Sequence, residues 1–113
     1  MACLFCRIVS GEIPATRVYE DDDVLAFEDI HPQAPMHVLV VPKTHVSTLN
    51  DLTPDHDRLV GAMVRCGQRI AAQRGQADVG YRAVFNCNAA AGQTVFHIHL
   101  HVLAGRALHW PPG

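Results

Sequence analysis

Short apolar runs alternate with polar turns along the first fifty residues, and their spacing predicts the elements in order. "LFCRIVSGEIPA" alternates little and stops at Gly11 and Pro14, which predicts a short helix over about residues 4 to 9. "TRVYEDDDVLAFEDI" predicts two short strands joined by an acidic turn at Asp21 to Asp23, a hairpin. "MHVLVVP" is a β-branched run ended by Pro42 and predicts a buried central strand. Thr53 followed by Pro54 makes an N-cap and first-turn pair that opens a long helix, and Gly75 closes it. Leu59, Met63, Cys66 and Ile70 fall on one face of that helix, so that face packs on a sheet or a partner. "YRAVFN" and "FHIHLHVL" supply two more strands. The order predicts an α+β domain on a meandering antiparallel sheet of about five strands, with one long and one short helix.

Composition narrows the function classes. A chain of 113 residues with no repeat or linker reads as one domain, 1–113, and the last stretch, 104–113, as a functional tail. It is 49% hydrophobic and 18% charged with a formal charge of -2, which gives no electrostatic case for binding nucleic acid. No apolar run approaches the roughly 20 residues of a membrane span, and the start lacks a basic region followed by a long apolar one. The expected location is the cytoplasm. Of four cysteines only Cys3 and Cys6 have a motif spacing, and in a reducing compartment Cys-x-x-Cys points to metal or redox chemistry before a structural disulfide. Cys66 and Cys87 read as small buried hydrophobes.

The most informative stretch is "TVFHIHLHVLAG". On a strand His97, His99 and His101 share one face while Ile98, Leu100 and Val102 share the other. Three titratable rings in register cost solvation and mutual repulsion when charged, so the set is more than structural packing. Two chemistries use such a face. Neutral imidazoles hold a transition metal, as in a three-histidine zinc site, or one ring acts as nucleophile while its neighbours orient it and bind an anion. The preceding "NAAAGQTVFH" brings Asn88, Gly92, Gln93 and Thr94 to a small polar loop of the kind that meets phosphate oxygens, although Gly and Asn are equally plain turn residues.

At these residues the chain resembles a known family. "HIHLHVL" is similar to the His-φ-His-φ-His-φ-φ signature of the histidine triad (HIT) proteins, nucleotide hydrolases and transferases. The likeness continues through "GEIPA", "VYEDDDVLAFEDIHPQAPMHVLVVPKTH", "GYRAVFN" and the terminal "HWPPG", which is similar to the Hint branch of purine nucleoside phosphoramidases. The resemblance implies a fold that pairs as a homodimer into a continuous sheet. It implies that His99 attacks the α-phosphorus of a purine nucleoside phosphoramidate or acyl-nucleotide to give a nucleotidyl-histidine, with the His97 carbonyl orienting it. His101 would then hold phosphate oxygens with its charge, and His37 would stand beside the triad. Asn86, Gly92, Gln93 and Thr94 match phosphate and leaving-group contacts, and Asp29 matches the acceptor of the ribose hydroxyls. Phe5, Ile8, Phe27 and Ile30 match an apolar clamp on the purine. Glu28 stands where animal Hint proteins carry histidine, which puts base preference at issue.

The same resemblance assigns the cysteine pair. Cys3, Cys6, His45 and His97 match a structural zinc site of bacterial HIT proteins, two thiolates and two imidazoles; no organic cofactor is implied. Trp110 and its two prolines match a tail that lies near the partner's active site and shapes leaving-group choice. His31, His56 and His109 read as exposed or loop residues. The competing functions are a purine nucleotide-binding module with incidental hydrolysis and a dinucleoside polyphosphate hydrolase.

Overall fold

The computed structural model describes residues 3–113. The short helix α1 is Leu4–Val9, followed by the hairpin strands β1 (Arg17–Glu20) and β2 (Val24–Glu28) and the strand β3 (Met36–Pro42). The long helix α2 is Asp57–Gln73, and the strands β4 (Tyr81–Val84) and β5 (Leu100–Ala104) complete the chain's regular elements. At the hairpin turn one carboxylate oxygen of Asp21 accepts the backbone N–H groups of Asp23 and Val24, a local bond that closes the acidic loop. Thr53 and Pro54 open a single 3₁₀ turn, Pro54–His56, that feeds α2, and Gly75 leaves the helix at a positive φ of 73°.

All five strands are antiparallel, in the order β1-β2-β3-β5-β4. The first three form a meander; α2 then carries the chain to the far edge, and β5 returns to fill the gap between β3 and β4. β3 is buried along its whole length, as a strand paired on both sides and covered on both faces must be. On one face Val24, Ala26, Val38, Val40, Leu100 and Val102 pack against Met63, Cys66 and Ile70 of α2, with Leu59 partly buried beside them. The helix approaches β5 so closely that a Cβ on Gly67 would lie 2.9 Å from Val102 Cγ2. On the other face Leu25, Phe27, Leu39 and Val41 pack against Phe5 and Ile8 of α1.

One element differs from the expected pattern. The alternation of "FHIHLHVL" predicts a single strand, but the ladder begins only at Leu100. Pro42 has no N–H with which to extend the pairing beyond Val40 and Leu100. Ile98 donates instead to the Val46 carbonyl (2.8 Å), and the His97 carbonyl accepts a side-chain bond. The chain stays extended enough that Ile98, Leu100 and Val102 still share the α2 core while the three histidines face the α1 side.

Candidate active site

His101, on β5, is paired in register with Leu39 of β3, and His37 is paired with Leu103; both rings therefore stand on the α1 face. The ring of His97 is fully buried, and its Nε2–H donates to the Pro42 carbonyl at 2.7 Å. A carbonyl only accepts, so His97 Nδ1 carries a lone pair. Its own backbone carbonyl accepts the Nδ1–H of His99 at 2.8 Å, which leaves His99 Nε2 as the free lone pair. Phe5 packs edge-on against that ring, centroids 5.0 Å apart.

The polarity of His101 is set from further away. The backbone N–H of Gln33 donates to His37 Nδ1 (3.0 Å), so His37 carries its proton on Nε2. That Nε2 lies 2.9 Å from His101 Nδ1 and 3.3 Å from Asp29 Oδ2. His101 thus accepts on Nδ1 and presents Nε2–H. Two neighbouring rings, centroids 4.9 Å apart, offer opposite faces: a lone pair on His99, a hydrogen on His101. Burial pushes the pKa of His37, His97 and His99 down, and it joins the neighbouring His99 and His37 in pushing His101 down to about 4. At neutral pH His101 is uncharged in the free protein and presents an N–H dipole.

Two clusters bring three or more metal-ligating side chains together among the described residues. Only one suits a cation. Cys3 Sγ and Cys6 Sγ each lie 3.5 Å from His97 Nδ1, Cys6 Sγ lies 3.4 Å from His45 Nδ1, and the two Nδ1 atoms are 3.2 Å apart. Ligands at about 2.0–2.3 Å from a tetrahedral ion stand roughly 3.3–3.8 Å from one another, close to this spacing. The Pro42 bond keeps His97 Nδ1 unprotonated toward the sulfurs, and His45 Nε2 faces Ser47 Oγ at 3.2 Å. These four residues could hold a metal ion. In the other cluster, Asp29, His37 and His101, the Gln33 bond obliges His37 to keep a proton on the atom that would ligate, so its short distances are hydrogen bonds.

The remaining predicted residues divide. Asp29 is half-buried, with Oδ1 accepting from His31 N–H (2.8 Å) and Oδ2 toward His37. Phe5, Ile8 and Phe27 are buried in the second core, forming a floor, whereas Ile30 is 85% exposed. Gln93 turns its side chain to the backbone around it. It is buried, its Oε1 accepts from Asn88 N–H (2.8 Å), and its Nε2 donates to the carbonyls of Ser47 (2.8 Å) and Val95 (3.1 Å). Its amide is spent on holding the loop, while Gly92 (φ 94°) turns the chain and Thr94 is exposed. Asn86 is half-buried just beyond β4, beside the half-buried Cys87. Glu28 has the parity of Val24 and Ala26 and pairs with Arg74 at the end of α2, on the face opposite the histidines. Trp110 is 82% exposed, and its tail is tied down by Arg82 donating to the His109 carbonyl (2.8 Å). His31 and His109 are exposed, and His56 is half-buried with Nδ1 accepting from Thr53 N–H. The Pro42 and Gln33 backbone groups and Ser47 were not foreseen; main-chain partners leave no mark in residue identity, and only the proline that ends β3 hints at a free carbonyl.

A ring held by its neighbour's carbonyl with its outer nitrogen unprotonated, beside a ring that presents an N–H, sets a nucleophile next to a donor on an antiparallel sheet. The HIT domain family model matches residues 10–108, and the chain belongs to the histidine triad family. It is 46% identical over 105 residues to the purine nucleoside phosphoramidase of Escherichia coli, covering 93% of this chain and 88% of that protein. A HIT family hydrolase from Legionella pneumophila superposes with a TM-score of 0.98 at 51% identity, covering 99% and 100% of the two chains. A zinc-bound histidine triad family protein from Mycobacterium smegmatis superposes with a TM-score of 0.81 at 48% identity, covering 94% and 76%. No described helix is long and apolar enough to cross a membrane.

Proposed function

We propose that the chain is a hydrolase that cleaves the P–N bond of purine nucleoside 5'-phosphoramidates, or the matching bond of acyl-adenylates. The observation that carries this is the bond from His99 Nδ1–H to the His97 carbonyl, which leaves Nε2 unprotonated in a neutral ring. His99 Nε2 attacks the α-phosphorus, the P–N bond breaks, and the amine leaves with a proton taken from solvent. Water then displaces His99, releases the nucleoside monophosphate and returns a proton. His101 Nε2–H donates to a phosphate oxygen throughout, and His37 keeps it in that tautomer. Asp29 receives ribose hydroxyls beside the floor of Phe5, Ile8 and Phe27, with Ile30 closing over the base. Asn86, Gly92 and Thr94 line the phosphate side, on the loop that Gln93 supports. The 46% identity to a purine nucleoside phosphoramidase supports the substrate class. Mixing protein with an adenosine phosphoramidate, quenching with acid and reading the intact mass is expected to show one adenylate per chain, trapped best in a slow His101→Ala variant. No adduct on any time scale, with hydrolysis still proceeding, would remove the covalent route. Faster turnover of a diadenosine polyphosphate would favour the polyphosphate hydrolase, and binding of adenosine monophosphate without turnover the binding module.

Zinc is the ion assigned to Cys3, Cys6, His45 and His97, on their spacing and on the zinc-bound relative. Freshly purified protein is expected to carry about one zinc per chain, with Cys3→Ser carrying far less; a wild-type content near zero that zinc addition does not raise would sink the assignment. Reduced thiols that can ligate suit the cytoplasm.

We read the chain as a single domain that works as a homodimer. β4 is an open sheet edge, and Val79 and Tyr81 beside it are exposed, next to a cleft of about 710 Å3 lined by Arg82, Arg106 and Leu108 and by none of the triad. A second copy on this edge would continue the sheet and give Trp110 a surface to cover. Truncation after Leu108 is expected to change the ranking of amine leaving groups more than it lowers stability, read as kcat/KM across several amines; an unchanged ranking would refute the tail's role.

A further inference from the structure

We infer that the Cys3, Cys6, His45 and His97 cluster is the device that positions the nucleophile and the phosphate loop, rather than a clip on the N-terminal segment alone. This inference rests on the zinc assignment and on His99 as the nucleophile.

Three routes lead from the cluster to the site. The first is His97 itself. Its ring joins the cluster and the Pro42 carbonyl, while its own carbonyl, the next polar group along, accepts His99 Nδ1–H at 2.8 Å. Anchoring that ring at both nitrogens fixes the position of the residue whose carbonyl selects the His99 tautomer. The second runs through α1. Cys3 and Cys6 bracket Phe5, whose ring lies edge-on to His99 at 5.0 Å, to His97 at 6.0 Å and to Phe27 at 5.6 Å. Fixing both sulfurs fixes the apolar wall of the nucleophile. The third runs through His45. Its Nε2 faces Ser47 Oγ, and the Ser47 carbonyl accepts from Gln93, whose amide also binds Asn88 N–H. Between these two residues Val46 takes the Ile98 N–H (2.8 Å), so the segment 45–47 is zipped to the segment that carries the triad.

Without an ion the arrangement has nothing to hold it. Two imidazole Nδ1 atoms 3.2 Å apart, one of them a lone pair by its Pro42 bond, attract each other only through a proton on His45. Weak thiol contacts of 3.4–3.5 Å replace four coordinate bonds. α1 is one and a half turns long and makes no side-chain cap bond at Cys3, so it depends on that anchor and on the burial of Phe5 and Ile8. Losing the ion therefore frees His97, Phe5 and the 45–47 segment together, and His99 samples both tautomers and more than one ring orientation.

The test compares zinc-loaded wild type with a Cys6→Ser variant and a Cys6→His variant, which restores a ligating nitrogen. Zinc per chain, kcat and KM for an adenosine phosphoramidate, and the ring-nitrogen NMR signals of His99 without substrate are measured on each. Cys6→Ser is expected to lose zinc, to lose roughly 10- to 100-fold in kcat with a smaller change in KM, and to replace a single Nδ1–H signal of His99 by an averaged one. Cys6→His is expected to regain zinc, the single tautomer and most of the kcat. A zinc-free Cys6→Ser protein that keeps both wild-type kcat and the single tautomer overturns the inference. So does a wild-type protein that binds no added zinc. Should Cys6→Ser fail to fold, chelation of folded wild type gives the same three readings. The NMR signal needs no substrate, so it decides the positioning claim even where phosphoramidates are not turned over.

Discussion

Replacing His99 by alanine is expected to lower kcat/KM for an adenosine phosphoramidate by roughly 10³-fold or more, since removal of a covalent nucleophile abolishes the route rather than slowing one step. The specificity of the claim lies in the neighbouring rings. His97 is buried with Nε2–H on the Pro42 carbonyl and Nδ1 turned toward the sulfurs of Cys3 and Cys6, and His101 presents a hydrogen, so neither can substitute as nucleophile. KM is expected to move little, because in the proposed site the ribose, base and phosphate contacts would come from Asp29, Phe5 and the 86–94 loop. The smaller His99→Gly variant leaves space beside Phe5 for free imidazole, and added imidazole should restore part of the turnover without forming an adduct on the protein. Unfolding by denaturant separates the effect from misfolding, since His99 is only half-buried. Wild-type-like turnover by His99→Ala would end the catalytic assignment, whatever the adduct experiment shows.

The fold is legible in the sequence where one local rule acts alone. The Asp21–Asp23 turn, the β-branched run of β3 and the apolar face of α2 each follow from spacing and turn chemistry, and each lies where expected. The start of β5 is not legible. Alternation over "FHIHLHVL" is a sound strand signal, but whether a ladder forms depends on the partner, and the partner ends at a proline. Nor does the sequence alone place β5 inside β4. That order depends on α2 crossing the sheet, a tertiary matter that no window of residues contains.

The site divides along the same line. That three histidines share a face, and that Cys3 and Cys6 belong together, follow from spacings of two and three residues. What each ring does depends on carbonyls and amides contributed by Pro42, His97 and Gln33, which any residue could have supplied. Gln93 is ambiguous in the other direction: a polar side chain beside a glycine looks like a ligand, and in the structure its Oε1 and Nε2 both bond the backbone around it. Ile30 and Phe27 look alike in a string, and burial alone tells them apart.

Lowering the pH from 7 to 5 is expected to destabilise the folded chain, with His101 contributing on the order of 2 kcal/mol of the loss. Burial and the neighbouring His99 and His37 hold the folded pKa of His101 at about 4, below the ordinary 6.5, with Asp29 opposing weakly. Between these values the unfolded chain binds a proton that the folded chain refuses, so stability is full above about pH 6.5 and falls as pH drops toward 4. His37 is lowered by its own burial and acts in the same direction. The window is informative because it lies above the ordinary carboxylate range; the ion pairs of Glu20 with Lys43 and Arg17, which hold Glu20 low, weaken only at more acid pH. A His101→Asn variant keeps an acceptor for His37 Nε2–H but cannot titrate. Denaturant unfolding of both proteins at pH 7 and pH 5 should show a smaller drop for the variant. Other effects of pH are common to both proteins, and the difference between the two drops cancels them. Equal drops would mean that His101 titrates in the folded chain as it does in the unfolded one, and a smaller drop for the wild type than for the variant would mean that it holds its proton at pH 7, so that the donor on phosphate would be an imidazolium.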